Sequence, residues 1–387
     1  MNTISAINDI EITEQEKKFI TEIKKLPDTR DNRGKKHTLS FLIISVVFAL
    51  LSDRSKVSGI HRYMKNKLPW LRKVTGIPEA TVISRAHLPR MLAGLDWVEL
   101  NVIINDCFSE KILSAIENEW LAVDGKVLRG TLKVGEKQAV VHAVSHDSRL
   151  DVAQARMEGE KSSEIKIVRD FLKDTGLEKQ KISLDAHHCN PESLGQIEAA
   201  GGTYLVQVKE NQPILFAHCQ KLANNAAEKV FENHTVDSSH GRITTRHAQL
   251  FPMKSVALDP RWQQCKLDTL IVMNRETVNQ RTKKTTTEAS YYLSNQQTNT
   301  AKQAEELTNT LRKHWSVESN NWILDVIFNE DNVQVKNGNQ AQVLATLRCL
   351  AINILRCSGA KNFQEKIEEF VDNPKKLILT LKQVNFL

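Results

Sequence analysis

Read for its hydrophobic and polar positions, the chain changes texture twice. Up to about residue 115 the apolar residues recur at helical spacing. Residues 12–26 form a charged amphipathic stretch, and 28–37 (DTRDNRGKKH) form a polar, basic linker. Residues 39–51 are the most apolar segment, and the pattern predicts the buried central helix of a small bundle there. The uninterrupted run from Phe41 to Leu51 is only about half of the roughly 20 residues that a bilayer crossing needs, which favours a buried helix over a membrane span. Residues 85–95 and 98–112 continue the helical spacing, with Pro69, Pro78 and Pro89 at breaks or first turns.

Near Trp120 the period shortens. Residues 121–123 are a short apolar run closed by Asp124, Gly125 and Lys126, and 138–145 (QAVVHAVS) and 151–157 (DVAQARM) are the next strands, with a turn between them. An amphipathic helix at 164–172 is closed by Gly176, a strand at 181–184 ends in Asp185, a helix follows at 191–200, and 203–208 (TYLVQV) is a further strand. The order β-β-β-α-β-α-β is that of the ribonuclease-H-like fold, an α/β class with a mixed sheet. From 224 to 294 the pattern is less regular, with strands predicted at 242–251, 264–273 and 287–293 between polar turns. This reads as a β-rich insertion. Helical spacing returns at Ala301 and runs through 311–328, then 340–356. The organisation expected is an all-helical N-terminal domain (1–115), a core in two pieces (116–222 and 301–360), a β-rich insertion subdomain (223–300) and a helical C-terminal tail (361–387).

Composition narrows the class. The chain has 387 residues, 41% of them hydrophobic and 26% charged, which fits an ordinary globular protein with room for about two or three domains. Lys and Arg number 53 against 46 Asp and Glu, for a net charge of +7, a surplus that suits a nucleic-acid partner. The six cysteines are scattered without a CxxC pair, which argues against a disulfide framework and a zinc ribbon. His187, His188 and Cys189, with His218 and Cys219 further on, match no zinc spacing. There is no G-x-S-x-G elbow and no phosphate-binding P-loop. The opening residues are polar and acidic rather than patterned as a signal peptide, so the expected location is inside the cell.

The candidate chemistry lies in carboxylates. Asp124 and Asp185 each follow an apolar strand, and in open α/β sheets ligands gather at the carboxyl ends of strands. Hard divalent cations prefer carboxylate oxygen, so two or three acids suffice to hold them. One such Asp serves equally well as a turn cap; the pair is more telling. A third acid comes from the segment H-W-S-V-E-S-N-N-W-I-L-D-V-I-F. There Trp315, Trp322 and Val326 fall on one helical stripe, predicted to pack on the sheet. Glu318 and Asp325 share a neighbouring stripe with His314 and Asn321, so spacing alone leaves either acid as the third. Lys126, Arg129, Lys209, Arg242 and Arg246 are candidate phosphate contacts, and Asn211 and Gln212 either bind DNA or shape the loop below the site.

These segments together resemble a known family. V-D-G-K-V-L-R-G (123–130), L-D-A-H-H-C-N (184–190), V-K-E-N-Q (208–212), H-G-R-I-T-T-R (240–246) and the helix from His314 to Asp331 are similar, in order and spacing, to the insertion-sequence transposases of the ISAs family, the H-repeat-associated proteins. The leader around R-G-K-K-H (33–37) resembles that family's N-terminal associated domain. The sequence departs from the family at Asn190, Ser319 and Asn321, where Gln, Asn and His are usual. The resemblance implies a DDE transposase with Asp124, Asp185 and Glu318 as catalytic, metal-binding acids, and Asp325, Asn321 and His314 supporting them. It implies Mg²⁺ (or Mn²⁺) as cofactor, and double-stranded DNA, both terminal inverted repeats and target, as partner. A homodimer on DNA in the bacterial cytoplasm is the expected working form. A nuclease of the same fold that never joins strands, and a non-catalytic DNA-binding remnant, are the alternatives.

Overall fold

The computed structural model describes residues 18–132, 138–157, 164–225, 228–239, 241–253, 258–384 and 386. The N-terminal part is helical throughout: α1 (Lys18–Ile23), α2 (Leu39–Leu50), α3 (Val57–Asn66), α4 (Leu68–Thr75), α5 (His87–Ala93), α6 (Trp97–Cys107) and α7 (Ser109–Asn118). Every residue of α2 is buried, as its unbroken apolar run requires. Most of the amphipathic stretch expected from residue 12 lies outside the described residues. Among the described residues no helix is long and apolar enough to cross a membrane.

The sheet begins with β1 (Leu121–Val127), β2 (Ala139–Ser145) and β3 (Asp151–Met157), an antiparallel meander in which the short α8 (Arg129–Leu132) follows β1. The chain crosses through α9 (Glu164–Thr175) to β4 (Lys181–Leu184), which lies parallel to β1 on its other side. After α10 (Pro191–Ala199), β5 (Thr203–Val208) adds parallel to β4. This is the predicted mixed ribonuclease-H-like core.

The helix α11 (Pro213–Ala223) then leads into β6 (Phe231–Ser239), β7 (Arg242–Pro252), β8 (Thr269–Asn279) and β9 (Thr285–Ser294). The insertion is therefore β-rich, but it does not make a sheet of its own. β9 pairs antiparallel with β5, and a single nine-stranded sheet runs in the order β3-β2-β1-β4-β5-β9-β8-β7-β6. The strand expected at 264–273 starts later, at Thr269, because residues 260–265 form a 3-10 turn capped by Asp259. β6 is not predicted because one face is half-exposed, the other is exposed, and both are largely polar, leaving no apolar alternation to detect.

Two helices close over the sheet. α12 (Ala301–Lys313) starts in a capping box formed by Thr300 and Gln303, and its Ala304, Leu307 and Leu311 pack with Trp120, Leu205, Leu250 and Ile271. α13 (Trp315–Val326) lies across β1 and β2, with Val317 against Ala122 and Val144. The single run expected over 311–328 is broken at His314. Finally α14 (Gly338–Cys357), buried almost along its whole length, packs on α2, α5 and α6 and on β3, so the helical region and the sheet share one hydrophobic core. The tail forms α15 (Phe363–Asp372) and α16 (Pro374–Gln383), and Phe386 stacks on Phe19 with ring centroids 4.2 Å apart.

Candidate active site

Strand register brings the two aspartates together. Val123 of β1 pairs with Leu184 of β4, and β4 ends there, so Asp124 and Asp185 are the next residues on two adjacent parallel strands. Asp124 does not end its strand, as the sequence suggests; β1 continues to Val127 on its antiparallel partner β2, and only the parallel neighbour stops. Where one partner stops, a side chain gains room to face a ligand. Asp185 caps the turn at residues 186–188, its Oδ1 accepting from the His187 N–H at 2.9 Å and the His188 N–H at 3.4 Å. Burial, and next the Asp185 charge, push the Asp124 carboxyl up to about 6; the Gly125 N–H opposes this, while Glu164 adds to it.

Glu318, in the first turn of α13, is exposed and lines a cleft of about 550 Å³ together with Asp185. One turn on, the Asn321 Nδ2 donates to Asp124 Oδ2 at 3.4 Å, so the same helix that lines the cleft beside Asp185 also reaches Asp124. His314 joins from the break between α12 and α13, where its Nδ1 lies 2.9 Å from Ser183 Oγ, just before Asp185. Low-polarity surroundings push the His314 pKa down to about 4, so the ring is neutral at physiological pH. The predicted packing of the tryptophans is wrong. Trp315 and Trp322 are each 58% exposed and Val326 is 56% exposed, while Ser316, Val317, Asn320 and Leu324 face the sheet. Small and medium side chains on the buried face let the helix come close enough for Asn321 to reach Asp124; two indoles there would hold it away.

Residues 118–354, well over half of the chain, match the Transposase DDE domain family, and residues 20–107 match the DDE_Tnp_1-associated family. The chain is a member of the DDE transposase family. It is 29% identical to the Escherichia coli O157:H7 protein named "Putative transposase YncI", over 88% of this chain and 87% of that one. It is 27% identical to the "H repeat-associated putative transposase YhhI" of Escherichia coli strain K12, over 88% of this chain and 90% of the relative.

The basic residues of this transposase divide into two groups. Lys209 and Arg246 line the cleft with Asp185 and Glu318, and so do Arg275 and Arg312, which the sequence reading missed. Arg275 lies past the expected end of its strand, and Arg312 in the last turn of α12 looks like any helix-terminal cation. Asp237 holds both Arg246 and Arg312, the latter at 2.7 Å, which fixes the two guanidinium groups side by side. Arg242 is exposed next to Gly241, whose φ of +69° makes the turn between β6 and β7. Arg129 is 75% exposed, 3.7 Å from Asp331.

Lys126 is different: it does not face solvent. It is 7% exposed, and its Nζ donates to Asp325 Oδ1 at 2.6 Å and to Glu330 Oε2 at 2.5 Å. Burial alone would lower its pKa, but Glu330 and Asp325 hold the ammonium above its usual value. Glu330 also accepts from Arg348 at 3.0 Å. Asn211 and Gln212 are likewise committed, their amides donating to the Ala186 and Cys189 carbonyls at 2.7 and 2.9 Å. They brace the loop that carries Asp185. Cys189 and Cys219 are buried thiols whose pKa values burial pushes well up, which makes them poor metal ligands.

Proposed function

We propose that this transposase cuts the ends of an insertion sequence and joins them to target DNA by metal-dependent phosphoryl transfer, with Asp124, Asp185 and Glu318 as the cation-holding acids. One observation carries the reading: two aspartates are adjacent by strand register, Asp124 raised in pKa by burial and then by Asp185, and Asp185 lines a cleft that also holds Glu318. The residues fit a divalent cation, because Asp124, Asp185 and Glu164 crowd together, and among the described residues the buried His188 ring beside them has no hydrogen-bond partner on either nitrogen. Divalent cations held there supply an activated attacking oxygen and stabilise the leaving one. The chain's own residues position the DNA. Lys209, Arg246, Arg275 and Arg312 line the cleft as phosphate contacts, and Trp315 offers an indole face to an unpaired base.

The N-terminal region, residues 1–115, is assigned to binding the terminal repeats, with the core at 116–222 and 301–360. Its Arg54, Lys56, Arg62 and Lys67 line a second cleft, of about 730 Å³, with Val326 and Asn329 at the end of α13, so DNA bound there would run towards the acids. A homodimer on DNA is the proposed working form.

The test is cleavage of an oligonucleotide carrying the element's own inverted repeat, with Mg²⁺ or Mn²⁺, by the full chain and by Asp185→Asn and Glu318→Gln. Wild-type nicking followed by joining, both lost in each variant, supports the proposal. Undiminished nicking by either variant refutes that acid's role. Nicking without joining points to a nuclease, and binding without nicking to a remnant.

A further inference from the structure

The carboxylate cluster contains a member that neither the three-acid pattern nor the sequence reading includes. Glu164 opens α9, on the crossover between β3 and β4, and its Oε1 lies against the backbone of Gly125, the residue after Asp124. A Cβ built on Gly125 would stand 2.7 Å from that oxygen, so the absence of a side chain at this one position leaves the slot that Glu164 fills. An acid in the first turn of a helix is ordinary and favourable with the helix dipole. The dipole does not explain why the carboxylate turns in towards a strand that already carries an aspartate.

His188 supplies the second observation. It is 1% exposed, its Nδ1 and Nε2 both lack a hydrogen-bond partner, and Nε2 lies 3.7 Å from Glu164 and 3.9 Å from Asp185. Those distances are too long for hydrogen bonds and leave the ring facing the space between two carboxylates. A buried imidazole with both nitrogens unused, facing two carboxylates, fits a nitrogen donor to a cation.

We infer that Glu164 is a fourth cation-holding carboxylate of this site, and that His188 presents a ring nitrogen to the cation held between Glu164 and Asp185. The inference rests on the reading of Asp124 and Asp185 as cation ligands and adds the flank of the site away from the three-acid pattern.

The test needs no DNA and no turnover. Mn²⁺ is titrated into the full chain by calorimetry, and the bound ion is examined by pulsed electron paramagnetic resonance for nitrogen coupling. Glu164→Gln is expected to weaken Mn²⁺ binding at least tenfold. Gly125→Ala, whose methyl displaces the carboxylate without removing it, is expected to weaken it less. The nitrogen coupling is expected in the wild type and absent from His188→Gln. Circular dichroism checks that each variant is folded, and Gly125→Ala keeps the test open if His188→Gln is not. Glu164→Gln binding Mn²⁺ as tightly as wild type, while Asp124→Asn binds it poorly, overturns the fourth ligand and leaves the three-acid reading standing. Unchanged binding in Asp124→Asn defeats that reading, and this inference with it. A wild-type spectrum without nitrogen coupling removes His188.

Discussion

Strand β1 carries two charge clusters, two residues apart, and they are opposites. Asp124 faces Asn321 in the middle of α13, next to Asp185 and Glu164, with acids crowded together and no Lys or Arg paired with them among the described residues. Lys126, on the same face of the strand, meets Asp325 one helical turn further along α13, and through Glu330 it is linked to Arg348. Two cations there balance two acids, and Lys126, Glu330 and Arg348 are almost wholly buried. The residue types are nearly the same; the charge balance separates them. A buried, balanced network ties strand to helix, whereas an unbalanced one at a cleft persists because something else completes it. In this molecule the balanced cluster reads as the fastening of α13 and the unbalanced one as the candidate site.

The sharpest way to break that comparison is to neutralise one member on each side. Asp124→Asn is expected to lower metal-dependent cleavage by on the order of 10³-fold, since metal-held charge supplies several kcal/mol in the transition state, while affinity for the repeat DNA in a gel shift stays near wild type. Cleavage within a few-fold of wild type would remove Asp124 from the site. Lys126→Met should do the reverse and act on the fold. It leaves Glu330 with Arg348 as its remaining cation and Asp325 without one, and breaking a buried pair in this way costs up to about 3–5 kcal/mol, visible as a lower urea midpoint. An unchanged midpoint would show that the network fastens nothing.

Asp325 sits at the seam between the two clusters. Its partner is Lys126, and it is about one-third exposed, so Asp325→Asn leaves Lys126 with Glu330. A cleavage loss within 10–100-fold is expected, the range for residues that orient a ligand-bearing element. A complete loss equal to that of Glu318→Gln would move the third acid to Asp325.

How much of this was legible in the chain follows the same division. The aspartates could be read because each ends an apolar run, and the strand order that places them side by side follows from alternation and helical spacing. The orientation of α13 could not. Its apolar residues, Trp315, Val317, Trp322, Ile323, Leu324 and Val326, surround much of the helix, so periodicity offers several faces and the largest side chains point to the wrong one. Lys126 looked like a loop cation because its two acids lie some 200 residues away in sequence. Glu164 gave no sign, since its meaning depends on Gly125, on a different element. Local pattern reports the strands and their ends; which charges are paired is decided by contacts between distant segments.

The smallest effect concerns stability without metal, and its sign is opposite to that of most substitutions at half-buried positions. The Asp124 carboxyl rises from its ordinary 3.8 to about 6, chiefly through burial and then through Asp185. The folded chain thus binds this proton more tightly than the unfolded chain. The group's contribution to stability is therefore present below about pH 4 and is lost as pH rises through 6. Asp124→Asn carries no such dependence. In metal-free buffer its stability should match wild type near pH 4 and exceed it above pH 6, by on the order of 1 kcal/mol once partial exposure is allowed for. Adding Mg²⁺ at pH 7.5 should close or reverse the gap, because only the wild-type carboxylate gains a partner. Thermal melts of both proteins at several pH values, with chelator and then with Mg²⁺, give the answer. A variant less stable than wild type above pH 6 in chelator would mean that the Asp124 cluster is already compensated, and the contrast with the Lys126 network would disappear.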